Sequence, residues 1–354
     1  MKEIINGIQQ IGIGVADAKE VFNWYRKYLG FDILVFQDEA TAGLMTKYTN
    51  NTAYSRLAML ALNMVGGGGL EIWQYKDRIP EASKTPILLG DLGINVMKLR
   101  SNAIEETYKE LKALQLSFLT ELHTTEVGRS HFFFEDPWGN LVEVVADNYC
   151  FCSSKSASGG VLGVVVGVSD MDASIDFYKH LLGFDHVVYN KKGVFQDFCD
   201  LPSGKASFQR VLLKRSTTAV GGFGELFGPA EIELIQTEER KPDKIYKDRL
   251  WGDLGYIHLC FDVHGMQALR EHAKSLNFPF TVDSADSFDM GAAAGHFSYV
   301  EDPDGTLIEF VETHKVPVLK KLGIYIDLKK RNPQKPLSKW LVKAMQVHRV
   351  RSDR

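Results

Sequence analysis

Glu301-Asp302-Pro303-Asp304-Gly305-Thr306-Leu307-Ile308-Glu309 is the stretch that decides the fold, because the chain uses its pattern twice. The earlier copy reads Glu135-Asp136-Pro137-Trp138-Gly139-Asn140-Leu141-Val142-Glu143. An Asp-Pro-x-Gly turn between apolar runs has the composition of a hairpin, and here it places a carboxylate on the strand that follows. Upstream of the later copy, His258 lies in the strand-like run Tyr256-Ile257-His258-Leu259-Cys260-Phe261. Imidazole on one strand and carboxylate on another is a way for a sheet to present ligands to a divalent metal.

Working outward, the repetition extends to whole elements. Ile11-Gly12-Ile13-Gly14-Val15-Ala16-Asp17 overlays Val164-Val165-Val166-Gly167-Val168-Ser169-Asp170, and each run leads into a helix. Val21, Trp24, Tyr25 and Tyr28 mark the buried face of the first helix, and Ile175, Phe177, Tyr178 and Leu181 that of the second. Ser169 with Asp172 fits a capping box. Both helices stop at glycine, in Leu29-Gly30-Phe31-Asp32 and Leu182-Gly183-Phe184-Asp185. Weaker second copies begin at Gly90-Asp91-Leu92-Gly93 and Gly252-Asp253-Leu254-Gly255 and end in the two Asp-Pro turns. The chain therefore reads as four strand–helix–multistrand units. The expected arrangement pairs neighbours: a first domain over residues 1–150, a flexible Ser/Gly linker over 151–160, and a second domain over 161–314. A basic extension over 315–354 follows. Glycine runs at 66–69 and 221–224 precede strands, not helices, and read as hairpin loops or lids instead of phosphate cradles.

These phrases resemble the vicinal oxygen chelate superfamily, the group of glyoxalases, bleomycin-resistance proteins and extradiol dioxygenases. The resemblance covers about residues 8 to 312. It implies an α+β fold of four βαβββ units, forming two paired U-shaped, half-barrel mixed sheets, each around a metal position. Ligands would come from the first and last strands of each unit. Carried over by position, the first pair offers Gln10, Glu71, Val96 and Glu143, and the second Gly163, Glu233, His258 and Glu309. The second pair, with one nitrogen and two carboxylates in His258, Glu233 and Glu309, is the expected metal site. Three protein ligands leave positions open for substrate. Gly163 would leave space for a substrate atom. Gln10, Glu71 and Glu143 form a weaker second site. The ion would be Fe, Mn, Ni, Zn or Mg.

The catalytic candidates are Glu309 and Glu233 as proton carriers, His296 as an acid or base ahead of the final hairpin, and Tyr299. The tyrosine stands three residues before Asp302, where extradiol dioxygenases carry one. One His and two Glu resemble the glyoxalase set, so the expected activity is a metal-dependent lyase or isomerase acting on a small vicinal-oxygen substrate. Two alternatives stay open: an Fe(II) extradiol ring-cleaving dioxygenase, and a non-catalytic small-molecule binder of the resistance type.

Composition bounds the rest. At 354 residues with 45% hydrophobic and 24% charged residues, the chain is of ordinary globular type. It has no apolar run of the ~20 residues a membrane helix needs. Met1-Lys2-Glu3-Ile4 lacks the plan of a secretion signal, and four cysteines make no disulfide framework, so a reducing cytoplasm is the expected compartment. Residues 315–354 hold twelve Lys plus Arg against Asp327 and Asp353, a local +10, which leaves −14 on the body. Leu337, Trp340, Leu341, Ala344, Met345 and Val347 form an apolar stripe in this tail. It is expected to pack on the acidic body or on a second subunit of a homodimer. Peripheral contact with anionic lipid is the alternative. Nothing suggests a nucleic-acid surface.

Overall fold

The computed structural model describes residues 3–154, 156, 158–218, 220–285, 288–289, 294–319, 324–329 and 331–351. Each of the four units opens with a strand and a helix. The strands are Ile4–Gly14, Gly93–Ser101, Val161–Gly167 and Gly255–His264, followed by helices Ala18–Leu29, Ile104–Ala113, Met171–His180 and Met266–Ser275. Asp17 caps the first helix by accepting from the Lys19 and Glu20 N–H groups, and Asp170 caps the third by accepting from Ala173. The capping box expected from Ser169 is not made, because Ser169 hydrogen-bonds Asp304 instead. Gly30 and Gly183 both take left-handed backbone at the helix ends, as expected.

The units do not assemble as neighbours. One nine-stranded sheet joins unit one (Ile4–Gly14, Gly69–Tyr75, Ser55–Leu62, Ile33–Thr41) to unit four (Gly255–His264, Leu307–Thr313, Ala294–Glu301, Val282–Asp283). The other joins unit two to unit three. The seams are antiparallel: Ile4–Gly14 against Gly255–His264, and Val161–Gly167 against Gly93–Ser101. The expected pairing of units within residues 1–150 and within 161–314 is thus corrected to a crosswise one. Each sequence half gives one unit to each curled mixed sheet.

Two contacts that recur across both seams show how this is built. An added Cβ on Gly14 would meet the Asp253 carbonyl oxygen at 2.0 Å, and one on Gly167 would meet that of Asp91 at 2.0 Å. Only glycine lets the Gly-Asp-Leu-Gly loop of the partner unit approach so closely. Within each half, the helix of one unit reaches the Asp-Pro turn of the next. Tyr25 donates to Asp136 (2.7 Å), and Tyr178 donates to Asp302 (3.2 Å). Each buried aspartate also accepts turn N–H groups, which explains the repeated motif. One large core cluster accordingly draws residues from all four units.

Within the 151–160 connector, Phe151 and residues 158–160 are buried, not free. Ser158 donates to the Leu29 carbonyl and Gly160 N–H bonds Gly66 O, so the 66–69 glycine run and the connector lie against each other. In the tail, Leu337 and Val342 are buried against Ile33, Leu62 and Phe227, while Trp340 and Val347 face outward. Arg349 pairs with Asp32 at 2.6 Å. Among the described residues no helix is long and apolar enough to cross a membrane.

Candidate metal centre

The crosswise seam brings four strands side by side: Leu307–Thr313, Gly255–His264, Ile4–Gly14 and Gly69–Tyr75. Register then sets the side chains. Gly12 stands opposite both His258 and Glu71, and Cys260 stands opposite both Gln10 and Glu309. Gln10, Glu71, His258 and Glu309 therefore converge on one face. His258 Nε2 lies 3.2 Å from Glu71 Oε2 and 3.2 Å from Glu309 Oε2. Gln10 Nε2 donates to the same two oxygens at 3.4 Å each. The ligand atoms of Glu71, His258 and Glu309 all lie within 4.8 Å of one another. Gly12 is required here, since a Cβ would stand 2.4 Å from His258 Cε1.

The chemistry of this set fits a metal ion. Gln10 Oε1 is buried with no hydrogen-bond partner among the described residues, and His258 Nε2 faces its two carboxylate oxygens at ion-pair distance without hydrogen-bond geometry to either. Leaving such atoms unpaired in a buried site is costly unless something else satisfies them. One amide oxygen, one imidazole nitrogen and two carboxylates would serve Mn, Fe, Ni, Zn or Mg. Burial opposes charge on His258, but Glu309 and then Glu71 outweigh it and lift its pKa to about 9. A bound cation would take the place of that proton.

A cavity of about 230 Å³ reaches the centre, lined by Glu71, Glu309, Tyr299, Trp73, Trp251 and Arg56 among others. The Trp251 ring lies nearly parallel to the His258 imidazole (14°, centroids 6.5 Å apart) and edge-on to Trp73. Tyr299 is buried with its hydroxyl 3.4 Å from His258 Nδ1. Burial, and then the nearby Glu309 and Glu71, push its pKa well up, so it remains a neutral hydroxyl.

Glu233 and Glu143 are elsewhere, and both sequence-derived ligand sets are corrected. By strand register Glu233 stands in the other sheet where Glu71 stands in this one, and Glu143 where Glu309 stands. Val96 holds the position of His258, and Lys98 that of Cys260. Lys98 Nζ fills the space between carboxylates, 2.8 Å from Glu231, 2.8 Å from Glu233 and 3.3 Å from Glu143. Arg210 also pairs with Glu233 (2.7 Å), Tyr189 donates to it (2.7 Å), and His131 Nδ1 meets Glu143 at 2.6 Å. Against burial, Arg210 and Lys98 hold the Glu233 carboxyl far below the usual range. Glu233 is not among the residues that line the cavity or that converge on His258. The space expected at Gly163 is taken by backbone, as a Cβ there would meet the Glu231 carbonyl at 1.9 Å. His296 is likewise committed, its Nε2 2.5 Å from Asp283 Oδ1 and outside the residues lining the cavity.

Lys98, Arg56 and Trp251 escaped the sequence reading. A lysine within the apolar run Val96-Met97-Lys98-Leu99 was a legible signal of a buried counter-charge. Arg56 and Trp251 carried no comparable mark.

Comparison with known proteins gives this chain and its fold relatives. The family model for the Glyoxalase/Bleomycin resistance protein/Dioxygenase superfamily matches residues 7–144 and 160–310. A lactoylglutathione lyase of Pseudomonas putida is 25% identical over 152 residues, covering 41% of this chain and 80% of that protein. Glyoxalase I of Zea mays superposes with a TM-score of 0.53 at 13% identity, covering 88% of this chain and 93% of that one. A putative dioxygenase of Bacillus subtilis superposes with a TM-score of 0.56 at 15% identity, covering 88% and 86%.

Proposed function

Because the chain belongs to the Glyoxalase/Bleomycin resistance protein/Dioxygenase superfamily, we propose that Gln10, Glu71, His258 and Glu309 hold one divalent metal ion. We propose further that the protein is a metal-dependent lyase or isomerase acting on a small substrate with vicinal oxygens. The observation carrying this reading is the donor set itself. One imidazole with two carboxylates and an amide differs from the two-histidine, one-carboxylate triad of Fe(II) oxygenases. The lactoylglutathione lyase relative supports the same side.

The ion, when bound, would polarise two neighbouring substrate oxygens and stabilise the negative charge that develops when the adjacent C–H is deprotonated. Glu71 and Glu309 both line the cavity, so either carboxylate would be placed to take that proton from one carbon and return it to its neighbour. Tyr299 holds His258 through Nδ1, leaving Nε2 free to coordinate, and offers its hydroxyl to a substrate oxygen. Trp73 and Trp251 keep water from the reacting carbons.

The test is metal analysis of protein purified without chelators, followed by assay on a thiol hemithioacetal under nitrogen. About one equivalent of metal, lost in His258→Ala and Glu309→Ala, with oxygen-independent turnover, is expected. Oxygen uptake with a catechol would select the dioxygenase instead, and ligand binding without turnover would select the binder.

A further inference from the structure

The wall of the cavity facing away from the metal ligands has a chemical preference of its own. Among its described lining residues Arg56 is the sole cation, sharing the cavity with the apolar Met45, Trp73, Trp251 and Phe297 and with the carboxylates of Asp38, Glu71 and Glu309. Its side chain is 11% exposed. Nη1 is committed to Asp38, at 2.7 Å to the carbonyl and 2.9 Å to Oδ2. Nε and Nη2 have no recorded partner among the described residues, which leaves one edge of the guanidinium for a ligand. Register separates this edge from the centre. Arg56 pairs with Tyr75 and Leu60 with Glu71, four residues along the strand, which is about 13 Å of backbone.

We propose that Arg56 anchors a carboxylate at the end of the substrate distal to its vicinal oxygens, so that the substrate is a small carboxylic acid with an apolar or aromatic body. The proposal rests on the metal reading above and names the substrate class for that site. A planar two-oxygen group matches the free edge of the guanidinium. The cavity's volume of about 230 Å³ is below the roughly 300–1,000 Å³ typical of drug-sized ligands. That size, with one cation and aromatic walls, suits a short aromatic acid better than a bulky polar conjugate.

The test uses the full chain loaded with Ni²⁺ and two probes of the same shape, one anionic and one neutral: 3-(3,4-dihydroxyphenyl)propanoate and its primary amide. Calorimetry should show the acid binding about tenfold or more tighter than the amide. Arg56→Gln should bring the two within about twofold, the acid losing far more than the amide, with metal content unchanged. Asp38→Asn, which removes the competing negative charge while keeping the bond to the Asp38 carbonyl, should tighten the acid alone. Equal affinity for acid and amide in the unaltered chain, or a preference that survives Arg56→Gln, overturns the anchor. If the chain takes up no metal, the metal reading fails separately. The same comparison with 3-phenylpropanoate and its amide then decides Arg56 without the ion.

Discussion

Removing the Lys98 ammonium tests the division of labour between the two sheets. Lys98→Met keeps the length of the stem and deletes the charge between Glu231, Glu233 and Glu143. At an effective dielectric constant of about 20, each short contact represents a gross attraction of roughly 6 kcal/mol, and the longer one roughly 5. Desolvation of four ions, at several kcal/mol each, offsets most of that. What the substitution exposes is the carboxylates left behind. Glu231 retains Arg129 at 2.8 Å and Lys214 at 3.4 Å, and Glu233 retains Arg210. Among the described residues Glu143 retains His131 as its one ion pair, with Arg129 acting on it from farther off. Stability should fall by about 3–5 kcal/mol, the usual cost of stripping one partner from a buried ion cluster. Glu143→Gln in the same chain should recover part of that loss by relieving the least compensated carboxylate. Urea unfolding at pH 7 measures the change, and metal analysis on the same protein should still give one ion per chain. A loss below about 1 kcal/mol would mean the cluster is solvated and unimportant. A loss of bound metal would mean the ion sits in the wrong sheet.

Crosswise assembly predicts that Glu71→Gln loses metal as Glu309→Gln does, by more than the ~10–100-fold that follows from changing a ligand's outer partner. Glu233→Gln should leave metal affinity unchanged, and the reverse result in a metal titration would restore pairing within each half. Tyr299→Phe should weaken metal binding about tenfold through His258 Nδ1, and an unchanged affinity would remove that hydroxyl from the site. Since the His258 proton must leave before an ion binds, apparent affinity should rise about tenfold per pH unit up to about pH 9. In the ion-free chain the raised imidazole contributes stability in full below about 6.5, lost as pH climbs through 9, so metal-free protein should weaken over that span. Glu231 runs the opposite way. Lys98 and Arg129 overcome its burial and hold it at about 2, so its contribution is present above 4.5 and lost as pH falls towards 2. Glu231→Gln should flatten the acid limb of the stability profile, and an unaltered limb would refute the pairing.

The repeat told in advance which elements would form and where helices and hairpins would stop. Asp17, Gly30, Asp136 and Asp302 act within a few residues of themselves, so their effects were legible locally. His258, Glu309, Gln10 and Glu71 were also legible as candidate ligands. What failed was their grouping. Unit one can offer its opening strand to unit two or to unit four, because each partner presents a similar apolar edge and the same glycine-bounded loop.

The amino-acid order by itself determined the four units, their caps and turns, and the carboxylates placed on strands after Asp-Pro turns. Tertiary structure alone decided which carboxylates meet an imidazole and which meet an ammonium. Glu71 and Glu233 occupy matching strands in similar apolar runs, and local sequence does not distinguish them. Their fates part because the seam sets His258 against one, whereas Lys98 and Arg210 close on the other. Buried charge takes its character from neighbours across the sheet, and the two that separate these sites, His258 for Glu71 and Lys98 for Glu233, come from 187 and 135 residues away.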